Sequence, residues 1–217
     1  MNDFCQDRDL LALEPGVFLS SAFSGLNLLA GTDGTIEETT FSSDGADFQA
    51  AGVEAGMVLV VYKTTPSEGL AVEIVSVDSA AELTVSVLRA DAQATATAPP
   101  AGEELRFHVR SFRPQIRSIS ESLAEKLRST AEVEGVRSAD FSDSAQLRTV
   151  CAHGVLAAVF VARAENASDS DANWIKAAFY RGEFARLQPQ LRLVLDADGD
   201  GSAERTRSLG NVNLRRV

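Results

Sequence analysis

The chain of 217 residues is poor in the groups from which most enzyme sites are built, holding two cysteines, two histidines and one tryptophan. Two cysteines exclude a disulfide framework. Cys5, in a polar leader, and Cys151, inside an apolar run, are expected to stay as separate reduced thiols in a reducing compartment. Histidine chemistry is equally thin. His108 falls on a predicted strand, and His153 lies two residues from Cys151, where residues on a helix do not face each other. A Cys–His nucleophilic pair is therefore not expected. Positive charge is scarce as well. Twenty Lys and Arg stand against 31 Asp and Glu, a formal −11 with a pI near 4.7. Gripping a phosphate backbone needs clustered cations, so tight nucleic-acid binding is excluded, although nucleic acid passing nearby is not.

No targeting segment is visible. Val17 to Ala30 is interrupted by Ser20, Ser21, Ser24 and Asn27 and is shorter than the ~20 residues of a membrane span. Met1-Asn2-Asp3-Phe4 lacks the basic start of a signal peptide. The expectation is a soluble cytosolic protein without a membrane partner. No serine sits in a nucleophile elbow, and no phosphate-cradling loop carries its Lys; Gly31-Thr32-Asp33-Gly34 reads as a turn. No enzyme activity, catalytic residue or cofactor is expected.

What is present is a β-module among helices. Short β-branched runs punctuated by turn residues place strands at Met57–Tyr62, Ala71–Val77 and Leu83–Leu88. Glu104 to Val109 alternates as a returning strand, with Leu105, Phe107 and Val109 on one face and Glu104, Arg106 and His108 on the other. Ala90 to Gly102 has low complexity and reads as an exposed loop. Asp3 and Gln6 fit a capping box for a short first helix, which Pro15-Gly16 stops. After Pro114 the period becomes helical, with Ile116, Ile119, Leu123 and Leu127 on one face. A second helix begins near Asp143 and is apolar nearly all round through Val155, so it is expected to be covered partly by a neighbouring subunit. A third starts near Ser170 or Asp171, carries Trp174 and Tyr180 in core positions, and ends at Pro189. The tail from Leu191 reads as a hairpin. The fold class is thus α+β, a helical body of about three to four helices with an inserted small antiparallel barrel of SH3- or OB-like closure and a C-terminal hairpin. Its divisions are 1–26 (N-terminal helix and lead-in), 27–112 (barrel), 113–189 (helical body) and 190–217 (tail).

The sharpest motif is Asp196-Ala197-Asp198-Gly199-Asp200-Gly201-Ser202-Ala203-Glu204. Carboxylates at positions one, three and five with Gly at six open a calcium loop, because a hard cation wants oxygens converging on a tight turn. Position twelve is Arg207 where a bidentate Glu is required, and no second helix is expected. An acidic hairpin turn uses the same residues for their backbone tolerance. Asp196, Asp198, Asp200 and Glu204 are therefore a candidate Ca2+ set but not an assigned metal site. A calcium-binding adhesion or recognition module is the alternative function.

Three patterns together resemble a known family. Asp9-Leu10-Leu11-Ala12-Leu13-Glu14-Pro15, the run from Phe41 through Asp47-Phe48 to Ala55-Gly56, and Trp174-Ile175-Lys176-Ala177 with Tyr180-Arg181 and the acidic loop are similar to head–tail connector (adaptor, or neck) proteins of tailed bacteriophages and related gene-transfer particles. The resemblance implies a virion protein assembled in the bacterial host cytoplasm and located at the virion neck. It further implies a ring of twelve copies beneath a portal protein, contacting a stopper or tail-completion protein, with a channel through which DNA passes. In that setting acidic walls would keep the passage from adhering. The inserted barrel is a departure from the family's helical body.

Overall fold

The computed structural model describes residues 3–23, 25–63, 69–131, 145–168, 170–195 and 205–208. The chain divides into a unit formed by Gln6–Arg113 and a second formed by Met1–Cys5 with Pro114–Val217.

In the first unit, alternation of apolar and polar residues closes a sheet on itself. Strands β1 (Leu26–Glu37), β2 (Thr40–Ser42), β3 (Val58–Tyr62), β4 (Gly69–Val77), β5 (Glu82–Ser86) and β6 (Gly102–Ser111) form a closed antiparallel barrel in the order β1-β2-β5-β4-β3-β6. Leu105, Phe107 and Val109 of β6 point inward and are buried. They meet Leu59, Ile74, Leu83 and Val85, and a Phe41–Phe48–Phe107 cluster with ring centroids 4.9–6.2 Å apart. Such edge-on aromatic contacts add to area burial, and closure leaves no strand edge open.

The barrel unit also contains two short helices, α1 (Asp7–Leu13) and α2 (Gly16–Leu19). α1 begins three residues later than expected, because Asp9 Oδ2, rather than Asp3, accepts the backbone N–H at the helix entrance, that of Gln6, at 2.8 Å. Phe18 of α2 packs edge-on against Phe112 at 5.2 Å, and Asp7 accepts the Phe112 N–H at 2.8 Å. These contacts tie the leader to the end of β6.

The second unit contains α3 (Arg113–Ala131, from Pro114 onward), α4 (Ala145–Arg163) and α5 (Ala172–Leu187). Ile116, Leu123 and Leu127 bury one face of α3. Asp171 caps α5 by accepting from the N–H groups of Asn173 and Trp174, and the helix gives way to a 3-10 turn at Gln188–Gln190 around Pro189. Strands β7 (Arg192–Leu195) and β8 (Arg205–Ser208) pair antiparallel, with Leu195 opposite Arg205.

The fold expected from the sequence is corrected on three counts. The barrel is closed by six strands, one more than an SH3- or OB-like closure of about five. The described residues form five helices, not three to four. The barrel is also not inserted after an N-terminal helix of the helical body: only Met1–Cys5 groups with the helices, and α1 and α2 belong to the barrel unit. The strands not placed from the sequence are β1 and β2, and Gly31-Thr32-Asp33-Gly34 of β1 is strand rather than turn. Register shifts against β6 bracket these residues, so the strand bends there. A Cβ on Gly31 would lie 2.5 Å from the Phe107 ring, and one on Gly34 2.7 Å from Phe41. The glycines make room for core phenylalanines, a need that resembles turn chemistry in one dimension.

The second helix is covered in large part by its own chain, with Val161 left 45% exposed. In α4 every residue from Val150 to Leu156 is buried within its own unit, with Val155 and Leu156 fully so. α4 is a 19-residue helix long and apolar enough to cross a membrane, but 61% of its most apolar window is covered by the chain itself. A helix apolar all round is a core helix when it packs between neighbours.

Asp33 shows how the bulged strand is tied down. Its carboxylate accepts from Ser43 Oγ and Gly45 N, each at 2.8 Å, which holds its pKa below the ordinary 3.8. A depressed carboxylate contributes stability above its unfolded pKa and loses it as pH falls through the folded value. The Gly45 amide resonance is therefore expected to move only below pH 3.8, and Asp33→Asn should abolish that transition. A Gly45 transition unchanged in the variant would show that another group is responsible.

Candidate functional site

Two surfaces gather side chains in ways the core does not require, one in each unit. The first is the outer face of α5. Ala177 and Tyr180 face inward, where Tyr180 stacks on Phe160 of α4 at 5.7 Å with the rings nearly parallel. On the opposite side Ile175, Ala178, Phe179 and Gly182 follow at helical spacing. Ile175 is 51% and Phe179 58% exposed, and nothing lies within 4 Å of where a Gly182 Cβ would sit. Lys176, over the Phe160 ring at 5.2 Å, and Arg181, over Trp174 at 5.6 Å, flank this stripe. A helix already packed on one side thus keeps a second apolar side open, which marks a contact surface more than a solvated one.

The second surface is a groove of about 470 Å³ on the outside of the barrel. It follows from alternation on β6, which turns Arg106, His108 and Arg110 away from the core as Leu105, Phe107 and Val109 turn in. Tyr62 of β3 and Asn27, Gly31 and Thr32 of β1 complete much of the wall. Arg106 lies over the Tyr62 ring at 5.3 Å, and Tyr62 and His108 have ring centroids 5.5 Å apart. Arg110 is buried under the lead-in to β1. It donates to the carbonyls of Phe18 at 3.1 Å and Ser20, and to Asn27 Oδ1 at 3.2 Å. Gly25 lets that side chain pass, since a Cβ there would stand 2.9 Å from the Arg110 stem. Burial lowers the pKa of His108, and the positive charges of Arg110 and Arg106 lower it further.

Other residues singled out by the sequence fall elsewhere. Cys151 does not meet His153. His153 Nδ1 lies 2.7 Å from the Thr149 carbonyl, and its ring packs on Tyr180. Cys151 instead meets Cys5, Sγ to Sγ at 3.1 Å, both buried. Residue spacing gave no hint of this, because the pairing spans 146 positions and depends on Met1–Cys5 grouping with the helices. Trp174 is half-buried rather than core. Asp196, Asp198, Asp200 and Glu204 lie outside the described residues, and Arg207 follows on a strand, not on the exiting helix of an EF-hand. Among the described residues no group of three or more His, Cys, Asp or Glu is placed to hold a metal.

The groove was missed because its parts are scattered over β1, β3 and β6. The one available signal was the alternate run Arg106, His108, Arg110 on a strand. No protein-family model, curated protein or solved structure matches this chain.

Proposed function

We propose that this chain is a structural virion protein, a ring-forming head–tail connector that seats between a portal and a stopper or tail-completion protein. The reading rests on the resemblance of its sequence patterns to such connectors and, physically, on one observation: the unpartnered stripe of Ile175, Ala178, Phe179 and Gly182 on α5. α4 is covered in large part by its own chain and leaves Val161 exposed near its end.

The occupant of the stripe is a second copy of this chain. The charge distribution favours that choice. The barrel unit holds sixteen acidic against six basic residues, a formal −10, whereas the other unit is close to neutral. Lys176 and Arg181 beside the stripe therefore complement the barrel of a neighbour rather than a like surface. Contact between unlike patches is head-to-tail, and repeated head-to-tail contacts close into rings when the rotation allows. A strongly acidic barrel around or beside a channel would repel DNA and let it pass.

Light scattering and native mass spectrometry of the full chain test this reading. The wild type is expected as a closed oligomer of fixed copy number, and Phe179→Asp as a monomer with an unchanged circular dichroism spectrum, since Phe179 is mostly exposed. A wild type that stays monomeric at high concentration, alone and with a portal ring, would overturn the proposal.

A further inference from the structure

The barrel unit is strongly acidic, yet its unneutralised cations are concentrated in one place. Of its six basic residues, Arg8 and Arg89 are held by Glu73, and Arg113 by Glu54. Two of the other three, Arg106 and Arg110, line the barrel groove, and no carboxylate does. Arg110 is only 4% exposed, and the acceptors it reaches are the neutral oxygens of Phe18, Ser20 and Asn27. A guanidinium buried that deeply normally has an opposite charge beside it, because removal from water is costly. Next to it His108 Nε2 is buried and has no hydrogen-bond partner among the described residues. The groove therefore carries positive charge that no carboxylate of its lining offsets.

We infer that this groove is a binding site for a phosphate group. The exposed Arg106 guanidinium presents forked donors suited to an oxyanion and the buried Arg110 adds its charge behind them, so a phosphate's charge of nearly −2 matches the two cations better than one carboxylate does. Asn27, Ser21 and Thr32 add neutral polar groups to the lining. A long polyanion is disfavoured, because the surrounding −10 unit repels it beyond the groove. A compact phosphate, free or on a small organic molecule, enters at lower electrostatic cost.

His108 supplies the readout. The charged groups facing it are Arg106 and Arg110 on its own strand, with the Tyr62 phenol from β3; the β1 residues of the groove are neutral. Burial and the two arginines favour the neutral imidazole, so a bound phosphate acts in the opposite direction and raises its pKa. His153, in the other unit, is the internal control.

The experiment is an NMR titration of the two histidine rings in the full-length protein with inorganic phosphate, against chloride at matched ionic strength, repeated with adenosine 5′-monophosphate. His108 signals are expected to move saturably and its pKa to rise, with His153 unmoved. Arg106→Gln, an exposed position that leaves the core intact, should weaken binding about tenfold, the value of one charge-assisted hydrogen bond. Tighter binding of the nucleotide would identify an organic phosphate as the ligand; equal binding would identify free phosphate. A His108 response no larger than in chloride, or Arg106→Gln binding phosphate as the wild type does, would overturn the assignment.

Discussion

Glu73→Gln is expected to destabilise the barrel unit by about 3–5 kcal/mol, the cost of breaking a buried ion pair from one side. Glu73 is 1% exposed on β4, and its Oε1 meets Arg8 of α1 at 3.3 Å and Arg89 beyond β5 at 2.5 Å. The Arg8 and Arg89 side chains are themselves almost fully covered. Arg8 Nη1 is within ion-pair reach of the carboxylate but has no well-formed hydrogen bond, and Arg89 Nε has no partner at all. Arg89 donates to the carboxylate from Nη2 at 2.5 Å and from its backbone N–H at 3.3 Å, and Arg8 adds its charge, so a neutral amide of the same shape leaves two guanidiniums buried without compensation. Against a typical total of 5–15 kcal/mol, that loss is large. The contrast is the triple variant Arg8→Met, Glu73→Leu, Arg89→Met, which removes all three charges and is expected to lie near the wild type. Urea unfolding followed by circular dichroism of the strands separates the two. If Glu73→Gln unfolds within about 1 kcal/mol of the wild type, the range of an exposed pair, the triad is solvated and the argument fails.

This triad marks the limit of what the sequence discloses. β-branched runs between turn residues located β3, β4 and β5, and alternation located β6, each to within a few residues. The start of α5 was also found from Asp171, whose cap is a local event. Local rules failed where the deciding contact is remote. Gly31 and Gly34 look like turn residues until Phe107 and Phe41 are seen against them. α4 looks over-greasy until α3 and α5 of its own chain cover most of it. Glu73 looks like one polar position in Ala71-Val72-Glu73-Ile74 until Arg8 and Arg89 arrive from distant segments. The groove lies between these cases. Its arginines alternate visibly on β6, but nothing nearby in sequence states that Arg110 would be buried without a carboxylate.

A second large effect is expected on oxidation. Cys5 and Cys151 are reduced thiols with Sγ atoms 3.1 Å apart, about 1 Å more than a disulfide bond. The leader is registered at a second point, since Phe4 N donates to Ser120 Oγ at 3.0 Å, so the two sulfurs are held together by more than their own contact. With oxidised glutathione, one thiolate displaces a glutathione thiolate to give a mixed disulfide. The other cysteine then attacks it, releasing a second glutathione; two protein thiols become one disulfide as the reagent is reduced. Both sulfurs are buried, so the reaction proceeds through local opening of the leader and is slow in native buffer. The product closes a loop of 146 positions, for which the chain-entropy account gives about 5 kcal/mol. The helical unit should therefore melt on the order of 10 °C higher once oxidised. Mass spectrometry of the monomer should show the loss of two hydrogens, and Cys5→Ser should show neither that loss nor the thermal gain. Glutathione remaining as a stable adduct on either cysteine, or covalent dimers in place of the internal bond, would mean that the leader does not lie against α4. The grouping of Met1–Cys5 with the helices would then be wrong, and with it the reason α1 and α2 are counted with the barrel alone.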